Sequence, residues 1–372
     1  MHMKNIKSLY VHIPFCAKKC LFCSFAVTVG QAHRTADYLN ALQREAQNQP
    51  GQVLKTVYCG GGTPSFLSVG ELERLVGFIR DQFIFFDGAE WTIEANPEGM
   101  DEAKAAVLKR LGFNRVSLGV QSLNEKYLKY LGRNHNKEKA VAAFGHLRQA
   151  GFENINVDLM SSFPGQSTEE LAEDVNALAG LGAEHVSVYS LTIEENSRFF
   201  VKGVRLDEDQ LQKEQYLLIV KLLEEAGYRQ YEVSNFAKPG FESQHNMNYW
   251  DGGDYVGLGV GAHSHRAGVR SWNVSRFMDY LDRLDHGRSP REEEEHLSTE
   301  KRLIESILFG LRKNQGIDLG LLKDRFSAVL DPARENIVED CVRKGLLIKE
   351  GTLLRTSLEG RLVLDEISAR LI

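Results

Sequence analysis

Residues 10–23 read Tyr10-Val-His-Ile-Pro-Phe-Cys16-Ala-Lys-Lys-Cys20-Leu-Phe-Cys23. The apolar, β-rich run Leu9–Ile13 leads directly into the three cysteines. Reactive side chains placed just past a strand are the habit of α/β barrels, where sites form at strand ends. Working outward, the same texture recurs at Thr56–Cys59, Trp91–Glu94, Val116–Gly119, Ile155–Leu159 and Val186–Tyr189. Helical patterns lie between these runs. One starts at Ser68, whose hydroxyl can cap it, with Glu71 as the capping-box partner. Another covers Asp207 to Ala226 and carries Leu211, Leu218 and Leu222 at helical spacing. Strand and helix alternating about six times imply a parallel sheet with right-handed crossovers. Polar residues at the strand ends favour an incomplete barrel over an open Rossmann sheet.

Past this region the texture changes. Glycines crowd in at Gly252, Gly253, Gly257, Gly259 and Gly261. Their spacing is wrong for a dinucleotide loop, and close backbone packing explains them better. The acidic run Glu292 to Glu295 reads as a solvated linker. After it, Leu303, Ile304, Ile307, Leu308 and Leu311 share one helical face, and Ile337, Val338 and Val342 share another. Leu346–Ile348 and Leu353–Arg355 flank Glu350-Gly351, a hairpin signal. The chain therefore divides into a core barrel (1–235), a connecting region (236–290) and a small winged-helix-like C-terminal domain (291–372).

Bulk composition narrows the function. The chain has 372 residues, 42% apolar and 26% charged, with a net charge of -6. An acidic protein gains little from counterion release, so a broad grip on nucleic acid is not expected. No apolar run approaches the roughly eighteen residues of a membrane span, so any membrane contact would be peripheral. The segment Met1 to Tyr10 lacks the apolar stretch of a secretory signal. Five cysteines, three of them within residues 16–23, are not a disulfide framework, and free thiols fit a reducing cytoplasm.

Structural zinc usually takes four ligands from paired Cys-x-x-Cys units, and no second pair exists here. Cys59 ends a strand, and Cys341 lies on the apolar face of a helix. Three thiolates suit a four-iron cubane with one iron left open, since a fourth would close it. The competing reading is a structural zinc with a histidine as fourth ligand. Gly60-Gly61-Gly62-Thr63-Pro64 follows the second strand and lets backbone approach a ligand closely. Glu94, Gln121, Arg133 and Asp158 also sit at or near strand ends, where they could supply acceptors for hydroxyls and amine and a cation for a carboxylate.

The cysteine triplet resembles the signature of the radical S-adenosylmethionine superfamily. That resemblance implies a [4Fe–4S] cluster on Cys16, Cys20 and Cys23, whose open iron chelates the amino and carboxylate groups of S-adenosylmethionine. Tyr10-Val-His-Ile-Pro-Phe-Cys16 is similar to the opening of one branch, the HemN/HemW branch, which contains oxygen-independent coproporphyrinogen III dehydrogenase and heme chaperones. The likeness covers nearly the whole chain and implies a partial (β/α)6 barrel followed by the C-terminal domain. Tyr10, Gly61, Gly62, Thr63, Glu94, Gln121, Arg133 and Asp158 fall where the branch places its S-adenosylmethionine contacts. The dehydrogenase carries a fourth cysteine two residues after the third and an N-terminal extension. Here that position is Phe25, and fifteen residues precede Cys16.

His245-Asn-Met-Asn-Tyr249-Trp250 resembles the HNxxYW motif of the chaperones. Histidine is a common heme-iron ligand, and aromatic rings pack on porphyrin faces. His245 is thus the expected iron ligand, with Tyr249 and Trp250 flanking it, and His263 and His265 the alternatives. Read alone, the motif is better explained as a structural histidine beside two core aromatics, and it is the resemblance that reverses this preference. The resemblance implies a cytoplasmic heme chaperone that passes heme to an acceptor such as a respiratory protein, with flavodoxin or ferredoxin as electron donor. The alternatives are a radical S-adenosylmethionine enzyme acting on a porphyrin or other substrate (a class C-type methyltransferase, a heme-modifying enzyme or the oxygen-independent coproporphyrinogen III dehydrogenase) and a regulatory winged-helix protein.

Overall fold

The computed structural model describes residues 7–49, 52–327 and 330–372. Six strands match the expected runs: β1 (Ser8–Ile13), β2 (Val53–Gly61), β3 (Ile84–Ala95), β4 (Arg115–Gln121), β5 (Ile155–Ser161) and β6 (His185–Ser190). They pair in sequence order, and every pairing is parallel. Helices cross between them, including Val69–Gln82, and Asp209–Glu225 follows β6. The capping box at Ser68 forms in full, with both reciprocal bonds to Glu71. That pair satisfies two of the donors a helix start otherwise leaves orphaned.

Each strand has two chemically different faces. Leu9, Val11, Val57, Cys59, Ile93, Val116, Leu118, Val157 and Val186 point outward and are buried under the helices. Tyr10, Tyr58, Glu94, Ser117 and Asp158 occupy the opposite face: Tyr10 pairs with Tyr58 and Glu94 with Ser117, while Tyr58 pairs with Thr92, two residues before Glu94, and Ser117 with Asn156, two residues before Asp158. A parallel sheet covered on both faces usually reads as a continuous apolar run. Here one face is polar because it encloses a site. The sheet curls, since Gly61, Glu94, Ser117, Asp158 and Tyr189, from five successive strands, line a single cavity.

The sheet is larger than six strands. β7 (Arg229–Glu232) and β8 (Asn235–Ala237) add an antiparallel edge beyond β6. On the far side, β9 (Tyr255–Leu258) runs parallel to β1, and β10 (His263–Arg266), β11 (Val269–Asn273) and β12 (Arg291–His296) continue as an antiparallel meander. The order is β12-β11-β10-β9-β1-β2-β3-β4-β5-β6-β8-β7. β9 is short and set among glycines, so it carries little propensity signal. Its glycines serve close approach: a Cβ on Gly257 would collide with the His263 carbonyl, and one on Gly259 would lie 2.7 Å from the His12 carbonyl oxygen.

The acidic run is not a linker. Glu292–Glu295 forms most of β12, with Glu293 opposite Trp272 and Glu295 opposite Arg270. An edge strand wetted on both faces tolerates charge, and charge there discourages pairing with another chain. Beyond it lies a small domain with its own core, in which Leu303, Ile307, Leu311, Val338, Cys341 and Leu354 meet. Its order is helix Thr299–Arg312, strand Ile317–Asp318, helices Leu319–Phe326 and Pro332–Arg343, then the hairpin Leu347–Glu350 and Leu353–Thr356. The hairpin stands where its turn signal places it. The helix Leu319–Phe326 was not legible, because its eight residues are too few for a clear period. No helix of the described residues is long and apolar enough to cross a membrane.

Candidate functional site

β1 ends at Ile13, and the chain then swings across the mouth of the barrel as a loop carrying all three cysteines. Local pairing closes this loop: Phe15 pairs with Thr28 and Cys16 with Val29, and the Thr28 N–H donates to the Pro14 carbonyl at 2.7 Å. His12 pins it from below, with Nε2 3.2 Å from the Ala26 carbonyl oxygen. The glycine loop packs directly on it. A Cβ on Gly61, which has φ +115°, would sit 2.5 Å from the His12 ring. One on Gly62 would sit 2.7 Å from the Pro14 and Phe15 carbonyls. The glycines are therefore set first by this backbone contact, which brings Thr63 within 3.5 Å of Cys16 Sγ.

Cys16, Cys20 and Cys23, Gly61, Gly62, Thr63, Glu94, Gln121, Arg133 and Asp158 line one cavity of about 560 Å³ at the C-terminal end of the strands. That volume falls within the usual range for a small-molecule site. Tyr10 is not part of this lining. It stacks on Tyr58 deeper in the barrel, and its hydroxyl lies 3.0 Å from His12 Nδ1.

The thiol trio suits a cluster better than a lone ion. Among the described residues, no three His, Cys, Asp or Glu side chains stand close enough to hold a single metal ion. In a cubane each thiolate takes a different iron, so its ligands stand wider apart. Burial pushes the Cys16 thiol up to about 11, and the Cys23 thiol upward too. Such thiols ionise only when a cation is present, and cluster iron supplies that charge. Arg133 is the polar link. Nη2 donates to Asn96 Oδ1 at 2.8 Å and to the Gly119 carbonyl at 2.6 Å, and Nη1 lies 3.4 Å from Cys20 Sγ. Its Nε is buried and unpartnered, a donor held in reserve at the cavity wall.

Asn96 was missed by sequence reasoning although it stands in Glu-Ala-Asn-Pro. Nδ2 donates to Thr63 Oγ1 at 2.9 Å while Oδ1 receives Arg133, so it ties the glycine loop to the arginine. Tyr58 was also missed, and it donates to Glu94 Oε1 at 2.9 Å. The second Glu94 oxygen accepts the Gly61 N–H at 3.0 Å. Gln121 adopts φ +70°, a left-handed backbone unusual for a non-glycine, at the cavity rim.

The donor set fits both groups. The three cysteines would hold the cluster. Glu94, Asp158, Gln121 and Arg133 offer acceptors for an amine and hydroxyls and a cation for a carboxylate. Replacing Arg133 with Ala should weaken S-adenosylmethionine binding by about 1.5–3 kcal/mol through loss of a charge-assisted contact, measured by equilibrium dialysis. Unchanged affinity would remove Arg133 from the site.

Burial, reinforced by Asp158, pushes the Glu94 carboxyl from 4.5 up to about 7. A carboxyl raised this far is only partly ionised in the fold at neutral pH, and a cationic ligand beside it favours the ionised form. Affinity for the ammonium-bearing cofactor should therefore rise with pH from about 6 to 8 in wild type and stay flat in Glu94→Gln. Identical pH profiles would contradict this coupling.

The HNxxYW segment forms the short helix Gln244–Trp250 at the opposite, N-terminal end of the barrel. The Glu90 carboxylate accepts the Gln244 and His245 N–H groups at 3.1 Å each. His245 is 1% exposed and lies against the Tyr58 ring. Its Nδ1 is 2.8 Å from Thr56 Oγ1 and its Nε2 2.9 Å from the Tyr249 hydroxyl. Burial lowers it to about 3, so it stays neutral. With both nitrogens engaged and no exposure, His245 offers no lone pair to iron here. The expected iron ligand instead closes the barrel floor. Tyr249 and Trp250 extend beyond it into a second cavity, as do His263 and His265.

Comparison with known proteins agrees with this geometry. The Radical SAM superfamily profile matches residues 10–178, and the HemN C-terminal domain profile matches residues 297–363. The heme chaperone HemW of Bacillus subtilis is 36% identical over 371 residues, covering 97% of this chain and 98% of that protein. HemW of Lactococcus lactis is 36% identical over 94% of this chain and 92% of that protein. The solved structure of coproporphyrinogen III oxidase (HemN) from Escherichia coli, 24% identical, superposes with a TM-score of 0.90 over all of this chain and 91% of that one, which establishes a shared fold. The chain belongs to the radical S-adenosylmethionine superfamily and, within it, to the family of the heme chaperone HemW.

Proposed function

We propose that this protein binds heme and passes it to an acceptor protein, with a [4Fe–4S] cluster on Cys16, Cys20 and Cys23 and S-adenosylmethionine beside it. The observation that carries the reading is end-to-end similarity, over 97% of the chain, to a protein named a heme chaperone. When bound, the cluster supplies an electron to S-adenosylmethionine. The protein's own part is positional. The closed loop from Pro14 to Thr28 fixes the thiols, Thr63 and Asn96 hold the glycine loop to Arg133, and Glu94 awaits a cation. The acceptor is of respiratory type, the electron donor a flavodoxin or ferredoxin, and the compartment the cytoplasm.

Phe25 supports transfer over porphyrin turnover. It occupies the position of the dehydrogenase's fourth cysteine, is 65% exposed, and lines the rim of the cluster cavity. A phenyl ring there can neither ligate iron nor move a proton. Incubated anaerobically with an apo b-type cytochrome, the heme-loaded protein should give up its heme, read as growth of the cytochrome's spectrum. With reductant and S-adenosylmethionine it should leave coproporphyrinogen III intact. Repeated loss of carboxyl groups from that porphyrin, seen by mass spectrometry, would overturn the proposal.

A further inference from the structure

A second cavity, of about 950 Å³, lies between β10 and β11 and the C-terminal domain. It shares no lining residue with the cluster cavity. It also lies toward the other end of the barrel: Tyr255 in its wall pairs with Ser8, the first residue of β1, whereas the cysteine loop follows the last. Its volume is at the upper end for small-molecule sites, room enough for a large flat ligand.

Three observations define its chemistry. His265 projects into it with Nδ1 3.4 Å from the Gly253 carbonyl oxygen and 3.6 Å from the Asp254 carboxylate. A histidine held in this way at one nitrogen presents the other as a metal ligand of fixed orientation and raised basicity. Trp250 contributes an indole N–H that is buried without a partner. Arg302 and Arg325 both lie over the Phe326 ring, at 5.3 and 5.0 Å. Neither guanidinium pairs with a carboxylate among the described residues, whereas Arg270, Lys301 and Arg334 around the same cavity all do.

We infer that this cavity is the heme site, with His265 Nε2 as the axial ligand to iron and Arg302 and Arg325 receiving the two propionates. The inference rests on the heme-binding reading above and adds the place. An imidazole, an aromatic and aliphatic wall, a spare N–H donor and two unpaired cations match a metalloporphyrin dianion. Heme and cluster are then held independently, at opposite ends of the barrel.

The test titrates hemin into the full-length, anaerobically reconstituted protein and follows the Soret band. His265→Ala should weaken binding about tenfold or more and shift the band, with cluster iron retained. Added imidazole should restore the band, as a misfolded variant would not allow. Cys20→Ala should bind hemin as wild type does. Arg302→Gln with Arg325→Gln should weaken hemin binding but leave binding of hemin dimethyl ester, which lacks the carboxylates, unchanged. If His265→Ala keeps the wild-type band and affinity, or His263→Ala alone loses them, the site assignment is wrong while the heme reading stands. If wild type itself binds no hemin, both fall.

Discussion

Replacing Cys20 with Ala should strip the reconstituted protein of its cluster, taking iron from about four per chain to near zero. The same should follow at Cys16 and Cys23, because all three line one cavity and a cubane left on two thiolates is not retained. Cys341→Ala should retain full iron, since Cys341 is sealed in the C-terminal core at 0% exposure. Iron analysis together with the visible absorption of the cluster reads both arms. Full iron in Cys20→Ala would overturn the centre assigned here. The loop that carries the thiols is tied independently, through Phe15–Thr28 and His12, so the fold of the barrel should survive the change.

His245→Ala should destabilise the protein by about 2–4 kcal/mol, combining a buried cavity with the loss of hydrogen bonds. Thr56 and Tyr249 would each lose a partner, and the Tyr58 ring would lose the surface it lies against. Thermal unfolding should show a clear drop in Tm. The Soret position of bound hemin should stay where it is in wild type. A shifted Soret band with an unchanged Tm would return His245 to the role of iron ligand.

The cysteine and histidine readings together show how far the sequence carries. The six barrel strands and the cysteine cluster were legible because each signal is local: a β-rich run, or three thiols inside a short loop. Gly61, Gly62, Glu94, Arg133 and Asp158 were legible as strand-end residues, and the fold gathers them around one cavity. What escaped depends on contacts distant in sequence. Asn96 matters through Thr63 and Arg133, 33 and 37 residues away. His245 is occupied by Thr56, 189 residues earlier, and nothing in the His-Asn-Met-Asn-Tyr-Trp string announces that partner. The acidic run misled because charge usually marks solvent, and an edge strand meets solvent as fully as a linker does. Tyr10 stands among the barrel tyrosines because the alternation of β1 points it inward against Tyr58, three residues before the strand ends at Ile13.

The central claim is that the protein carries heme without consuming it. Hemin titrated into the anaerobically reconstituted wild-type protein, with S-adenosylmethionine and reductant present and the porphyrin recovered for mass spectrometry, tests it most directly. The account predicts saturable binding with the recovered porphyrin unchanged in mass. Recovery of a modified porphyrin in amounts that grow with time beyond the protein present would contradict it.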